Sequence, residues 1–179
     1  MKKRIIILGS VILFVVVAWS GAWLFAANFV RNQIDQLAFA DGETMPQLTC
    51  GTLEVSGFPF RFDVTCINTS IVSGDLLVEV PTVRASAMIY RPTHLLAFAQ
   101  GPAVLSDAFS GQRQEVSWKG LDASIRLEDW RIVRASVVGQ EMAWTDKLFG
   151  DNLIARSSHV EGHLIDMPEL HDPATETAF

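Results

Sequence analysis

Three residues near the C-terminus are spaced for chemistry. His159, Glu161 and His163 alternate along "SHVEGH", so on a strand they share one face. Two imidazoles and a carboxylate form a donor set that a divalent transition metal accepts. The motif is not HExxH: the glutamate stands in the wrong place and Gly162 disfavours a helix. A solvated strand face explains the same pattern, so a metal-dependent hydrolase is the least favoured function. Other catalytic signatures are absent. There is no G-x-S-x-G elbow and no Gly-rich phosphate loop, and nucleophilic catalysis needs a base within reach of its nucleophile. Glu128 and Asp129 form a carboxylate pair at an expected turn, where solvation accounts for them. The residues point to no enzyme and call for no cofactor.

The two cysteines are a second constellation. Cys50 and Cys66 bracket "GTLEVSGFPFRFDVT". Leu53 and Val55 alternate with polar residues before the Gly57-Phe58-Pro59-Phe60-Arg61 turn, and Phe60, Phe62 and Val64 do so after it. Two such runs around a turn predict a hairpin. A hairpin centred on Phe58 sets Cys50 opposite Cys66 but pairs Leu53 with Asp63, whereas matched apolar faces need a shift of one residue. A bulge at Gly51 reconciles the two. The expectation is a Cys50–Cys66 disulfide. Reduced buried thiols are the next reading. A redox or zinc pair ranks last, because the spacing fits no CxxC motif and two cysteines alone cannot complete a structural zinc site.

A disulfide needs an oxidising compartment, and the N-terminus supplies the route. Ile5 to Ala27 is 23 residues without a charge. As a helix it is about 35 Å long, enough for a hydrocarbon core of about 30 Å. Lys2, Lys3 and Arg4 precede it, which places the N-terminus in the cytoplasm. Trp19 and Trp23 lie toward its far half, where an aromatic belt is expected. A cleaved signal peptide ending near Ser20-Gly21-Ala22 is the competing reading. "WLFAANFV" carries the apolar run past that cut, which favours an uncleaved signal-anchor. The exported part carries 11 basic residues against 20 acidic, a balance of −9. That lacks the basic footprint of a nucleic-acid binder.

The remaining chain must hold these residues in place. Val30, Ile34 and Leu37 continue the helical period as a stalk. Beyond Pro46 the period becomes two. Val83, Ala85, Ala87 and Ile89 alternate with polar residues, and Pro81 in that run favours an edge or a bulge. Pro92, Leu95, Leu96 and Phe98 suggest a short helix, ended by Gly101-Pro102. Turn signals then recur at Ser110-Gly111, Lys119-Gly120, Glu128-Asp129, Gly139-Gln140 and Phe149-Gly150-Asp151. Short strands at that rhythm predict an antiparallel meander with one apolar face. The fold class is mainly β: an N-terminal transmembrane helix, then a curved antiparallel meander sheet with one short helix. The organisation is a cytoplasmic tail over 1–4, the anchor over 5–27, a stalk over 28–45, a β-rich periplasmic domain over 46–167 and a polar tail over 168–179. Phe60, Phe62, Trp118, Trp130 and Trp144 either fill one side of the sheet as core or line an apolar groove for an acyl chain or a partner's hydrophobic segment.

The signal-anchor start, "CGTLEVSGFPFRFDVTC", "MIYRPTHLLAFAQGPA" and "VSWKGLDASIR" together resemble the bacterial domain-of-unknown-function family 2125. The likeness runs from Leu48 to about Leu164. It implies an envelope protein of the bacterial inner membrane, single-pass, with a β-rich periplasmic body and no established activity. The family domain is longer than this chain, which implies a shortened member lacking later strands. The architecture is more distantly similar to AsmA-like envelope proteins that carry or organise lipids. The resulting expectation is a membrane-anchored envelope protein that contacts lipid or another hydrophobic ligand. The alternative is a scaffold that recruits an envelope partner through a sheet edge.

Overall fold

The computed structural model describes residues 2–129 and 131–166. Its first element is α1 (Lys2–Leu37), 36 residues unbroken, so the apolar span and the stalk are one helix. That helix is long and apolar enough to cross a membrane. Asp41 turns the chain back: its Oδ1 accepts the backbone N–H groups of Glu43, Thr44 and Met45, each at 3.1 Å. These bonds and the Thr44 hydroxyl, the largest influence, hold its carboxyl below the usual carboxylate range.

The strands follow as β1 (Gln47–Ser56), β2 (Arg61–Ser73), β3 (Leu76–Met88), β4 (Arg91–Gln100) and β5 (Ala103–Asp107). Then come β6 (Arg113–Ser117), β7 (Gly120–Glu128), β8 (Arg131–Asp146) and β9 (Asn152–Ile165). All pairings are antiparallel. β4 and β5 lie end to end along β3, from Ala87↔Leu95 to Leu76↔Asp107. β6 and β7 lie end to end along β8, from Gln114↔Asp146 to Glu128↔Arg131. The sheet is therefore an up-and-down meander in which two of the traverses are interrupted.

The interruptions belong to one line across the sheet. Gly51, Asn68, Pro81, Gly101, Trp118, Lys119 and Glu141 occupy one transverse row, and none of them takes part in the ladder. Asn68 and Glu141 have φ of 53° and 48°, the left-handed region that asparagine enters more readily than most residues. Gly51 faces Asn68 so closely that a Cβ on it would stand 3.1 Å from the asparagine's Cβ. The Trp118 ring lies where a Cβ on Gly101 would approach it to 3.1 Å, and its Nε1 donates to the Ala99 carbonyl at 2.8 Å. Pro81 has no N–H for a ladder and sits where β3 passes from one partner strand to the next. That is how an interior strand tolerates it.

This crease corrects several expectations. Cys50 lies opposite Thr69, and Leu53 opposite Cys66. The apolar faces of β1 and β2 thus match, with Val55 on Val64, and no bulge forms at Gly51: the register is the same on both sides of it, because Gly51 and Asn68 leave the ladder together. Lys119-Gly120 and Gly139-Gln140 are not turns but the places where two strands cross the crease. The expected short helix after Pro92 is not formed, because Arg91–Gln100 is β4. Leu95, Ala97 and Ala99 alternate there with Leu96 and Phe98, and β3 and β7 flank the strand on both sides. Backbone pairing on two sides outweighs a short run's helical tendency. Pro92 falls inside the register shift beside Ala87/Met88, where no ladder bond is asked of it.

Candidate functional site

Strand alternation separates the sheet into two unlike faces. Three rows define one of them on the tip side of the crease. The first runs Phe62, Ala87, Leu95, Ile125, Ala135 and Leu164. The next runs Val55, Val64, Ala85, Ala97, Ala123, Val137 and Gly162. The third runs Leu53, Cys66, Val83, Ala99, Leu121, Gly139 and Val160. No residue in these rows is charged or polar. The opposite face carries Asp63, Arg84, His94, Asp122, Arg126, Arg134 and Glu161.

Beyond the crease an apolar row runs through Ala103, Val116, Trp144 and Ala155, and Val80 continues that side beside the buried Thr69. Most traverses cross the crease by a three-residue step, as from Cys66 to Thr69, which restores the side a normal alternation would have lost. The Cys50–Cys66 disulfide, with Cα atoms 5.3 Å apart, ties the two halves together on this side. Cys66 is buried.

One corner of the apolar face is covered, and α1 covers it. Trp23 stacks on Phe62 with ring centroids 5.6 Å apart and planes 5° from parallel. It also meets Phe58 edge-on at 5.6 Å, and Trp19 meets Phe60 at 6.3 Å. The indole nitrogens of Trp19 and Trp23 donate to the carbonyls of Pro59 and Arg61, at 3.2 and 3.4 Å. Each such aromatic pair contributes about 1 kcal/mol beyond its area. Gly57 makes the tip possible: its φ is +103°, and a Cβ there would stand 2.5 Å from the Arg61 carbonyl. Among the described residues nothing covers the far part of the face, where Val137, Val160 and Leu164 are 44, 44 and 60 % exposed.

The sequence-derived candidates are distributed as follows. Cys50 and Cys66 are bonded. Gly57, Phe58, Pro59, Phe60 and Arg61 form the tip that docks on the helix. The four described groove aromatics, Phe60, Phe62, Trp118 and Trp144, do not meet in one groove. Phe62 lies under Trp23, Phe60 is exposed at the tip, Trp118 fills the crease and Trp144 stands beyond it, bonded through Nε1 to Gln114 at 3.1 Å. Trp130 lies outside the described residues, as does the tail 168–179. His159, Glu161 and His163 do share one strand face. Glu161 takes an imidazole on each oxygen, at 2.8 Å from His159 and 3.6 Å from His163. The hydrogen bond from His159, foremost, holds its carboxyl below the usual range. Among the described residues no three His, Cys, Asp or Glu side chains converge as a metal site.

Residues 23–179 match the model of a family described as an uncharacterized protein conserved in bacteria, DUF2125. The chain belongs to this family. No curated protein and no solved structure matches it. What this DUF2125 chain presents is thus read from its own geometry: an uncharged sheet face that begins at a membrane-length helix. The sequence reading missed the partner of the Gly-Phe-Pro-Phe hairpin. Trp19 and Trp23 are four residues apart, hence on one helix face, and that spacing was the available signal.

Proposed function

We propose that this protein is a membrane-anchored envelope protein whose sheet contacts lipid acyl chains along its apolar face. The observation that carries the reading is the continuity of that face. It starts where Trp19 and Trp23 of α1 meet Phe60 and Phe62 and runs through three rows without one charge or polar side chain. A water-facing sheet side ordinarily alternates to polar residues, and contiguous exposed apolar surface marks an interaction site. Alanine and glycine dominate its middle row, which leaves a shallow floor rather than interlocking knobs. An acyl chain needs no directional partner and fits such a floor.

The helix is the anchor in this reading, with its basic N-terminus in the cytoplasm and the sheet in the periplasm. The hairpin contacts Trp19 and Trp23 straddle the candidate cleavage site at Ser20-Gly21-Ala22, so cutting there removes half of what holds the tip. A disulfide on the far side fits an oxidising compartment.

Native mass spectrometry of the full chain from mild detergent tests the proposal. The wild type is expected to retain phospholipid after desalting, and Ala97→Asp combined with Ala123→Asp to lose it. A wild type that flies bare of lipid sinks the reading. A second reading, a scaffold, draws on β9, whose outer edge is unpaired among the described residues. Such an edge accepts a partner strand.

A further inference from the structure

The polar face holds a cleft of its own at the hairpin end. It measures about 610 Å³ and is lined by Arg61, Met88, Arg91, His94, Leu96 and Phe98, among others. One wall is cationic and the other apolar, a division that suits an amphiphile better than a soluble metabolite. Charge on this part of the face is unbalanced. Arg61 is engaged by Asp63 at 2.6 Å, and Asp63 also takes the Ser86 hydroxyl. Arg91, Arg126 and Arg134 make no ion pair among the described residues. Arg126 and Arg134 stand directly opposite each other, in the row that begins at His94. Like charges so placed destabilise a sheet unless something negative answers them. Asp122, on the same face, lies two rows farther from the tip. His94 uses Nε2 on Ser124 at 3.0 Å, and its other ring nitrogen is unengaged.

The position of the cleft completes the argument. From Ile5, at about 1.5 Å per residue, Trp19 is about 21 Å and Trp23 about 27 Å along the helix. A hydrocarbon core is about 30 Å thick, so the hairpin tip docked on these two residues lies in its outer third, just short of the outer edge. Ile89 donates its N–H to the Phe60 carbonyl at 3.0 Å, which brings the β3–β4 turn to the same level. Phe58, Phe60 and Tyr90 are 53, 63 and 68 % exposed there. Arg61 and Arg91 flank them, with side chains long enough to snorkel out to the phospholipid headgroups.

We propose that this cleft seats an anionic phospholipid, with Arg91 and His94 holding its phosphate and Met88, Leu96 and Phe98 taking the adjoining part of an acyl chain. The assignment rests on the membrane placement of α1 proposed above. It is independent of the apolar face, which lies on the other side of the sheet. An overall acidic body keeps anionic membranes away by charge, so a local basic cleft is what would select such a lipid.

The test is native mass spectrometry of the full chain in micelles doped equally with phosphatidylglycerol and phosphatidylcholine. Phosphatidylglycerol is expected to be retained about tenfold more, because phosphatidylcholine offers the same phosphate but its choline cation is repelled by the cationic wall. Arg91→Gln with His94→Gln should bring that ratio to about one with total bound lipid little changed, while Arg91→Lys keeps the preference. An unselective wild type, or a preference that survives the double variant, overturns the cleft while leaving the apolar-face reading intact. Conversely, if Ala97→Asp with Ala123→Asp leaves total lipid unchanged and the preference persists, the cleft stands and the apolar-face reading fails. Displacement of phosphatidylglycerol by inorganic phosphate would show a site for a soluble anion and overturn the lipid assignment.

Discussion

The two faces of this sheet are made by the same residues in alternation, yet they offer opposite surfaces. On β7, Leu121, Ala123 and Ile125 belong to the apolar rows, while Asp122, Ser124 and Arg126 belong to the polar face. On the other traverses the apolar rows stay free of polar side chains, while Ile67, Leu96, Phe98 and Val138 interrupt the polar face. Period-two patterning alone would have failed at the crease, because one irregular residue per strand reverses every side chain beyond it. The strands avoid this by being irregular together, so the reversal happens in the same row of each. The polar face is that of an ordinary solvated sheet, with one basic corner. Among the described residues the apolar face is covered where α1 lies and open beyond it, which is what the lipid proposal rests on.

Breaking the tie across the crease has the largest expected effect. Cys50→Ser with Cys66→Ser should lower stability by about 3 kcal/mol, the loop-closure value for a ring of this length. Urea unfolding of the full chain in detergent, oxidised against reduced, measures it. Equal midpoints would show that the two halves hold together without the bond.

A sharper contrast comes from neighbours on β8. Val137→Asp places a charge on the apolar face and should cut retained lipid about tenfold, since each 1.4 kcal/mol is a factor of ten. Val138→Asp, one residue on, should leave it within about twofold. Similar losses in both would erase the distinction between faces.

The crease itself is open to a smaller perturbation. Asn68→Ala should cost about 1 kcal/mol, the penalty of a left-handed conformation without asparagine's local bonding. Asn68→Gly should cost less, and thermal melts of the pair decide it. If alanine is the milder of the two, the left-handed conformation is not what holds the row.

The smallest effect is assigned to the polar face of β9. Glu161 has its pKa lowered, so its contribution is present above the ordinary value of 4.5 and is lost as pH falls through the lowered one. Glu161→Gln should therefore flatten a slight acid-side slope in stability and do little at neutral pH, because the pair is exposed. A large loss at neutral pH would contradict a purely solvated ladder.

Much of the architecture was legible because it rests on local pattern. The apolar run, the alternation of β7 and the cysteine pairing follow from residue type and spacing. The crease was not legible, since Gly51, Asn68, Pro81 and Gly101 are far apart in sequence and align only when the register is known. Gly101-Pro102 read as the end of a helix and Gly139-Gln140 as a turn, while Gly51 and Pro81 read as separate, unrelated irregularities. β4 was misread for a related reason: Leu95 and Leu96 are both apolar, and only the sheet shows that they face opposite surfaces. The cleft stayed hidden because Arg61 belongs to β2 and Arg91 and His94 to β4, and β3 lies between those two strands. The groove aromatics show the converse. Trp118 and Trp144 do not share a place, because one indole bonds Ala99 in the crease and the other Gln114 beyond it.

The most direct measurement is photo-crosslinking from two adjacent positions of β7 in native membranes. A benzoyl-phenylalanine at Ala123 is predicted to capture phospholipid, while the same probe at Asp122 captures little or none. Equal capture from both positions, or protein alone captured from Ala123, would contradict a lipid-contacting apolar face.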